Sequence, residues 1–155
     1  MRRKDREVTD QAEIRKFIEK EQVMRVCFCD EGDIYIVPVN YGFTVEDGNY
    51  VFVFHGARAG RKFELAKSCP TVGFEIDGMY QLMEADEACD FSAHFQSVIG
   101  TGRLSLVEES AEKEALLNLL MGQIASPMDW SYDGKMLAAT AVFRLDAEKM
   151  SCKLK

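Results

Sequence analysis

The chain has 155 residues, 47% of them hydrophobic and 29% charged, with a formal net charge of -7. That size suits a single domain, residues 1-155, with a real core and no need of disulfide or metal staples. An acidic balance is a poor footprint for nucleic acid or an anionic membrane surface, and no apolar run approaches the roughly 18 residues of a membrane helix.

Arg2, Arg3, Lys4 and Arg6 open the chain as a basic cluster. No apolar stretch follows them, so they do not read as a secretory signal. Asp10 with Glu13 has the spacing of a capping box, and Ile14, Phe17 and Ile18 share one face, which predicts an amphipathic helix over 11-21. Strand formers run from Val23 to Cys29, from Ile34 to Phe43 and from Tyr50 to His55. Asp30-Glu31-Gly32-Asp33 and Glu46-Asp47-Gly48-Asn49 read as the turns between them. Short polar turns joining three strands predict an antiparallel meander. Pro38 inside the second strand points to an edge or a bulge.

Arg61 to Ser68 reads as a short helix ended by Pro70, and Thr71 to Asp77 as a fourth strand. From Glu75 to Asp90 there are six acids and no base. Phe95 to Val107 predicts a long fifth strand, with Gly100 and Gly102 permitting a bend. Ser110 is placed to cap a helix over Glu112 to Met121, with Leu116, Leu119 and Leu120 as its buried stripe. Trp130 and Tyr132 follow Pro127 in a less regular segment, suited either to stacking on a ligand or to covering the core. Ala139 to Leu145 predicts a sixth strand. Six antiparallel strands with two or three peripheral helices fit a small closed barrel rather than a βαβ repeat.

The five cysteines, Cys27, Cys29, Cys69, Cys89 and Cys152, are odd in number and contain no CxxC. Neither of the two histidines has a ligand-spaced partner. These features predict reduced thiols in a cytoplasmic protein and no metal site.

The segment His55-Gly56-Ala57-Arg58-Ala59-Gly60-Arg61-Lys62 carries the sharpest chemical signal. Its glycines let the backbone turn tightly beside a ligand. A helix start offers free N–H groups to an anion, and Arg61 and Lys62 add full positive charge at the same point. Two readings stand for it: a phosphate cradle, or a turn followed by a solvated basic helix start. No GxxxxGK[ST] is present, so nucleotide hydrolysis gains no support. His55 shares a strand face with Val51 and Val53, and if that face looks into the barrel, His55 sits at its mouth. Asn40 offers donor and acceptor to a planar heterocycle. Ser97 lacks both a GxSxG elbow and a paired base, which argues against a serine hydrolase.

Taken together, Tyr35-Ile36-Val37-Pro38-Val39-Asn40-Tyr41-Gly42, Phe54-His55-Gly56-Ala57 with Gly60-Arg61-Lys62, Cys89-Asp90-Phe91 and Gln96-Ser97-Val98-Ile99-Gly100-Thr101-Gly102 resemble the 5-nitroimidazole resistance branch of the pyridoxamine 5'-phosphate oxidase-like flavoproteins. The resemblance implies a six-stranded antiparallel split β-barrel, mostly β with peripheral α, that forms a homodimer with FMN at the interface. It implies a phosphate site around Ala57, Gly60, Arg61 and Lys62, an isoalloxazine lining from Val39, Asn40 and Tyr41, further contacts from Ser97 and Val98, and His55 beside the flavin as the candidate catalytic residue. The activity implied is an FMN-dependent oxidoreductase acting on a small molecule, with nitroaromatics as a candidate class; the alternative is a flavin- or haem-binding split barrel without nitroreductase turnover. Two positions depart from the pattern: Phe95-Gln96 stands where the family often has Tyr-Arg, and Ser151-Cys152-Lys153 where it has Thr-Gly-Lys.

Overall fold

The computed structural model describes residues 3–125 and 130–155, so Arg2 of the basic cluster and Pro127 lie outside the described residues. After one 3-10 turn at Lys4–Arg6 come β1 (Glu7–Val8), α1 (Gln11–Lys20), β2 (Val23–Asp30), β3 (Asp33–Asn40), β4 (Gly42–Glu46), β5 (Asn49–Ala57), α2 (Arg61–Ser68), β6 (Thr71–Met83), β7 (Ser92–Val107), α3 (Ser110–Ile124), α4 (Gly134–Ala139) and β8 (Thr140–Leu154). The strands form one antiparallel sheet in the order β3-β2-β6-β7-β8-β5-β4, with β1 added on β8. The fold class is as expected; the strands number 8 rather than six.

The extra strands have identifiable causes. The run Ile34 to Phe43 is two strands, not one: β3 pairs with β2, and β4 pairs with β5. The expected three-strand meander is therefore two hairpins at opposite edges of the sheet, joined at Tyr41. The Tyr41 ring is fully buried, and its hydroxyl donates to the Ile18 carbonyl at 2.7 Å. Pro38 lies on the edge strand β3, where its missing N–H disrupts no second ladder. Gly100 and Gly102 allow β7 to bend under its neighbours. A Cβ at Gly100 would lie 2.3 Å from the Phe74 ring, and one at Gly102 2.3 Å from the Asp146 carbonyl. The β7–β8 register shifts between Thr101 and Gly102.

Tyr50, Phe52 and Phe54 of β5 point into the barrel with Phe28, Phe74 and Phe143. The Phe54 and Phe143 rings stack at 4.8 Å. Burying each such ring contributes on the order of 1.5–3 kcal/mol. Val53, on the opposite face, packs with Val107 and Val142 beneath Leu116, Leu117 and Leu137 of α3 and α4. The aromatic face thus fills the barrel, and His55, which alternates with Val51 and Val53, stands on the outer face instead of inside the mouth. Its side chain is exposed.

Helix α3 packs against the β4 edge. Asp10 caps α1 by accepting from Ala12 N–H at 2.8 Å and Glu13 N–H at 3.4 Å. The cap of α3 is Glu109, one residue before the expected Ser110; its carboxylate accepts from Ala111 and Glu112. The buried stripe of α3 is Leu116, Leu117 and Leu120, with Leu119 only partly buried. Gln123 Nε2 donates to the carbonyls of Ile18, Glu19 and Glu21 at 2.8, 3.0 and 2.9 Å, tying α3 to the orphan carbonyls at the end of α1. Tyr132 covers this second cluster, its hydroxyl donating to Asn118 at 2.9 Å.

Candidate functional site

Gly60 holds φ at +92°, a conformation natural to glycine, and so turns the chain from β5 into α2. A Cβ there would meet nothing within 4 Å, and no side chain caps the helix. Phe63 N–H is taken by the Gly60 carbonyl at 3.1 Å, which leaves the N–H groups of Arg61 and Lys62 open to an anion.

The bases around this turn are unequal. Arg58 is forked on Glu108, with bonds of 2.8 and 3.0 Å. Arg61 donates twice to one Asp30 oxygen, at 3.0 and 2.8 Å, and lies 4.8 Å over the Tyr35 ring. Lys62 has no carboxylate partner among the described residues. Its Nζ donates to the His55 carbonyl at 3.2 Å and sits 5.5 Å from the Phe54 ring centroid and 5.2 Å from that of Phe143. Gly56 makes the room: a Cβ on it would fall 2.8 Å from Lys62 Nζ. Desolvation lowers the Lys62 pKa. The apparent basic loop is thus two neutralised arginines and one uncommitted lysine.

His55 stands beside this lysine, and its pKa is lowered, first by desolvation and then by the Lys62 charge. Its neutral form is favoured in the folded state. Folding stability from this group therefore falls as pH drops below the unfolded imidazole value of about 6.5, where the unfolded chain takes up the proton first. By NMR, His55 is expected to titrate below that value, and Lys62→Ala to move its midpoint upward. A midpoint unmoved by Lys62→Ala would show that the lysine charge does not reach the imidazole.

The remaining expected residues lie elsewhere in the chain. Asn40 pairs with Val23 at the start of β2, and its Nδ2 donates to the Gln22 carbonyl at 3.0 Å. Ser97 is half-buried on the outer face of β7, between Asp77 and Lys153. Arg25 on β2 donates to Glu75 at 3.0 Å and also to Asp77, the strand partner of Ser97. Burial raises the Glu75 pKa against the opposing Arg25 hydrogen bond. Val39, Tyr41 and Val98 are buried in the core. The Tyr41 side chain consequently cannot line a ligand as expected, and Tyr41 and Val98 offer only backbone.

The expected residues therefore divide into two groups within one chain. His55, Ala57, Gly60, Arg61 and Lys62 gather near Asp30, at one end of β2. Asn40 lies opposite Val23, at the other end, and Ser97 lies three strands across the sheet from it, opposite Asp77. Seven residue steps separate the ends, about 23 Å of strand at about 3.3 Å per residue. The sequence reading missed Asp30, Glu108 and Tyr35 at the first group and Arg25, Glu75 and Asp77 at the second. Asp30 carried a signal, an acid at a strand end, but nothing local links it to α2.

An antiparallel barrel left unpaired between its β3 and β4 edges, with helices packed over it, defines a split barrel. The chain belongs to the pyridoxamine 5'-phosphate oxidase family, whose sequence profile matches residues 10–154. The fold is similar to that of a candidate 5-nitroimidazole antibiotic resistance protein from Bacteroides thetaiotaomicron, with a TM-score of 0.82 and 22% identity over 96% of this chain and 86% of that one. It is also similar to the flavocytochrome Anf3 from Azotobacter vinelandii (TM-score 0.78, 24% identity, 100% and 72% covered). A third similar structure is the FAD and heme binding protein from Mycobacterium smegmatis (TM-score 0.83, 17% identity, 97% and 73% covered). No curated protein sequence matches the chain. Among the described residues no helix is long and apolar enough to cross a membrane, and no group of three or more His, Cys, Asp or Glu could hold a metal ion.

Proposed function

We propose that this protein is a cytoplasmic FMN-dependent oxidoreductase that works as a homodimer, with each FMN held between two copies and a small nitroaromatic compound as the candidate substrate class. The observation that carries this reading is the uncapped turn at Gly60, with its open N–H groups and the uncommitted Lys62. These residues fit a terminal phosphate: the N–H groups would hold its oxygens, and Lys62 and Arg61 would balance its charge. The separation of the two residue groups supports the dimer. One copy would supply His55, Ala57, Gly60, Arg61 and Lys62, and the other Ser97 with Asn40 and the backbone of Val39, Tyr41 and Val98. Flavin binding also accords with the family and with the flavin named for two of the similar structures.

FMN supplies the redox chemistry that these side chains lack. His55 stays neutral beside it, able to donate or accept a hydrogen bond without adding charge. Ser97 offers a hydroxyl from the open sheet face. The five cysteines are all unpaired, which agrees with a reducing compartment.

A second reading, a flavin- or haem-binding protein without nitroreductase turnover, is favoured by the two similar structures named for heme or cytochrome. Purified protein is expected to be yellow, to release FMN on denaturation and to reduce a nitroimidazole anaerobically with a nicotinamide donor. Release of FAD, a haem Soret band, or flavin without nitro reduction by any donor would favour the second reading. Colourless protein that takes up no added FMN would overturn both.

A further inference from the structure

The other face of β7 holds a cleft that the flavin reading does not use. It lies between α1 and the ends of β6, β7 and β8, has a volume of about 320 Å³, and is lined by Glu13, Lys16, Phe17, Lys20, Met79, Gln96 and Leu154. That volume is at the lower end of the range for small-molecule pockets, about 300–1,000 Å³. Phe17, Met79 and Leu154 give it apolar walls. Met79 reaches the cleft from a backbone at φ +55°, at the irregularity where the β6–β7 register shifts.

Gln96 is the telling residue. It is 4% exposed, one of two buried polar or charged side chains among the described residues. Its one side-chain hydrogen bond there is Nε2 to the Cys152 sulfur, at a long 3.9 Å. A carboxamide carries two N–H donors and two acceptor lone pairs, and a buried one is ordinarily satisfied. No buried side-chain nitrogen or oxygen among the described residues lacks a partner, so the Gln96 oxygen, which has none among those residues, opens to solvent.

The rim adds charge. Lys16 and Lys20 are one helical turn apart on α1, and neither has an ion-pair partner among the described residues. Arg15 on the same helix is paired with Glu19 at 2.8 Å. The Glu13 carboxylate lines the same cleft and offsets one of the two ammonium groups, so the rim keeps a net positive charge that, with apolar walls and the Gln96 amide, suits a compact organic anion with an apolar body.

We propose that this cleft binds a small aromatic carboxylate: the ring against Phe17, Met79 and Leu154, the carboxylate at Lys16 and Lys20, and a polar ring substituent at Gln96. Gln96 and Ser97 point to opposite faces of β7, so this site and the proposed flavin site can be filled together. The proposal does not depend on the flavin reading.

The test is titration of the ¹⁵N-labelled full chain with 4-hydroxybenzoate and with its neutral counterpart, 4-hydroxybenzyl alcohol. The Gln96 side-chain amide and the backbone amides of Lys16 and Phe17 are expected to shift saturably with the carboxylate. The neutral compound is expected to bind about tenfold or more weakly, and Lys16→Ala with Lys20→Ala to cost a similar factor, the size of one charge-assisted hydrogen bond. Gln96→Met is expected to lose binding. Both lysines are exposed, so the double variant tests the site even if Gln96→Met fails to fold. No saturable shift at Gln96, equal binding of both compounds to the unaltered protein, or carboxylate affinity unchanged with both lysines removed, would overturn the site. Shifts that follow protein concentration instead of carboxylate would also overturn it, and would show the cleft to be filled by a second copy of the chain.

Discussion

Arg61→Ala combined with Lys62→Ala is expected to weaken FMN binding by about 100-fold or more, in a salt-dependent way. A hydrogen bond to a charged group contributes about 1.5–3 kcal/mol, and each 1.4 kcal/mol is tenfold in affinity. The two residues do not share the loss equally. Lys62 is held only by a carbonyl and two aromatic rings, so no carboxylate competes for its charge. The Arg61 charge is largely spent on Asp30, 2.8 Å away. Under the proposed FMN reading, Arg61→Ala does two things: it removes a phosphate donor and it uncovers the Asp30 carboxylate beside a dianion. Adding Asp30→Asn to Arg61→Ala is expected to restore part of the affinity, and Asp30→Asn alone to raise it. Flavin fluorescence titrations at two ionic strengths measure all four variants. The Arg61 side chain is 48% exposed, so salt screens its share strongly. Affinity unchanged in the double variant would move the phosphate away from α2.

That asymmetry between the bases lay beyond the sequence for a physical reason. The turn itself is local: a glycine at positive φ directly before a helix whose first residues are basic. Helix α2, Arg61–Ser68, was legible to the residue, and α1 to within one residue. The partners are not local. Asp30 lies 31 residues from Arg61, and Glu108 lies 50 residues from Arg58. Spacing cannot bring such pairs together. Strand alternation likewise separated Tyr50, Phe52 and Phe54 from Val51 and Val53 without saying which set faces inward. The larger rings took the barrel interior, and that put His55 on the outer face. Helix α4 went unseen because Gly134-Lys135-Met136-Leu137-Ala138-Ala139 gives no amphipathic turn beyond its Asp133 cap, which accepts from Lys135 and Met136.

The break at Tyr41 was the costliest miss, and it leads to the largest expected stability effect. The run from Ile34 to Phe43 is rich in strand formers, and only Gly42 hints at a change. In the fold, a Cβ on Gly42 would lie 2.4 Å from Leu120 N and 2.5 Å from Leu119 C and Leu120 Cα. These are backbone atoms in the middle of α3, which no rotamer change can move. Nor is α3 free to shift: Leu116, Leu117 and Leu120 are buried beneath it, and Gln123 is bonded to three carbonyls at the end of α1. Gly42→Ala must then part β4 from α3, at a cost of about 3 kcal/mol, the upper end of ordinary overpacking. Total stabilities of about 5–15 kcal/mol leave little room for such a loss. Gly122 is the matched control. It lies in the same helix, an added Cβ there meets nothing within 4 Å, and its φ is not positive. Gly122→Ala is expected to stabilise by about 0.5–1 kcal/mol through helix propensity and a stiffer unfolded chain. Urea unfolding of both variants should give shifts of opposite sign. Equal or same-sign shifts would mean that the contact of β4 with α3 does not limit the fold. Because Asn40 lies two residues before Gly42, flavin affinity is expected to fall with Gly42→Ala and to hold with Gly122→Ala.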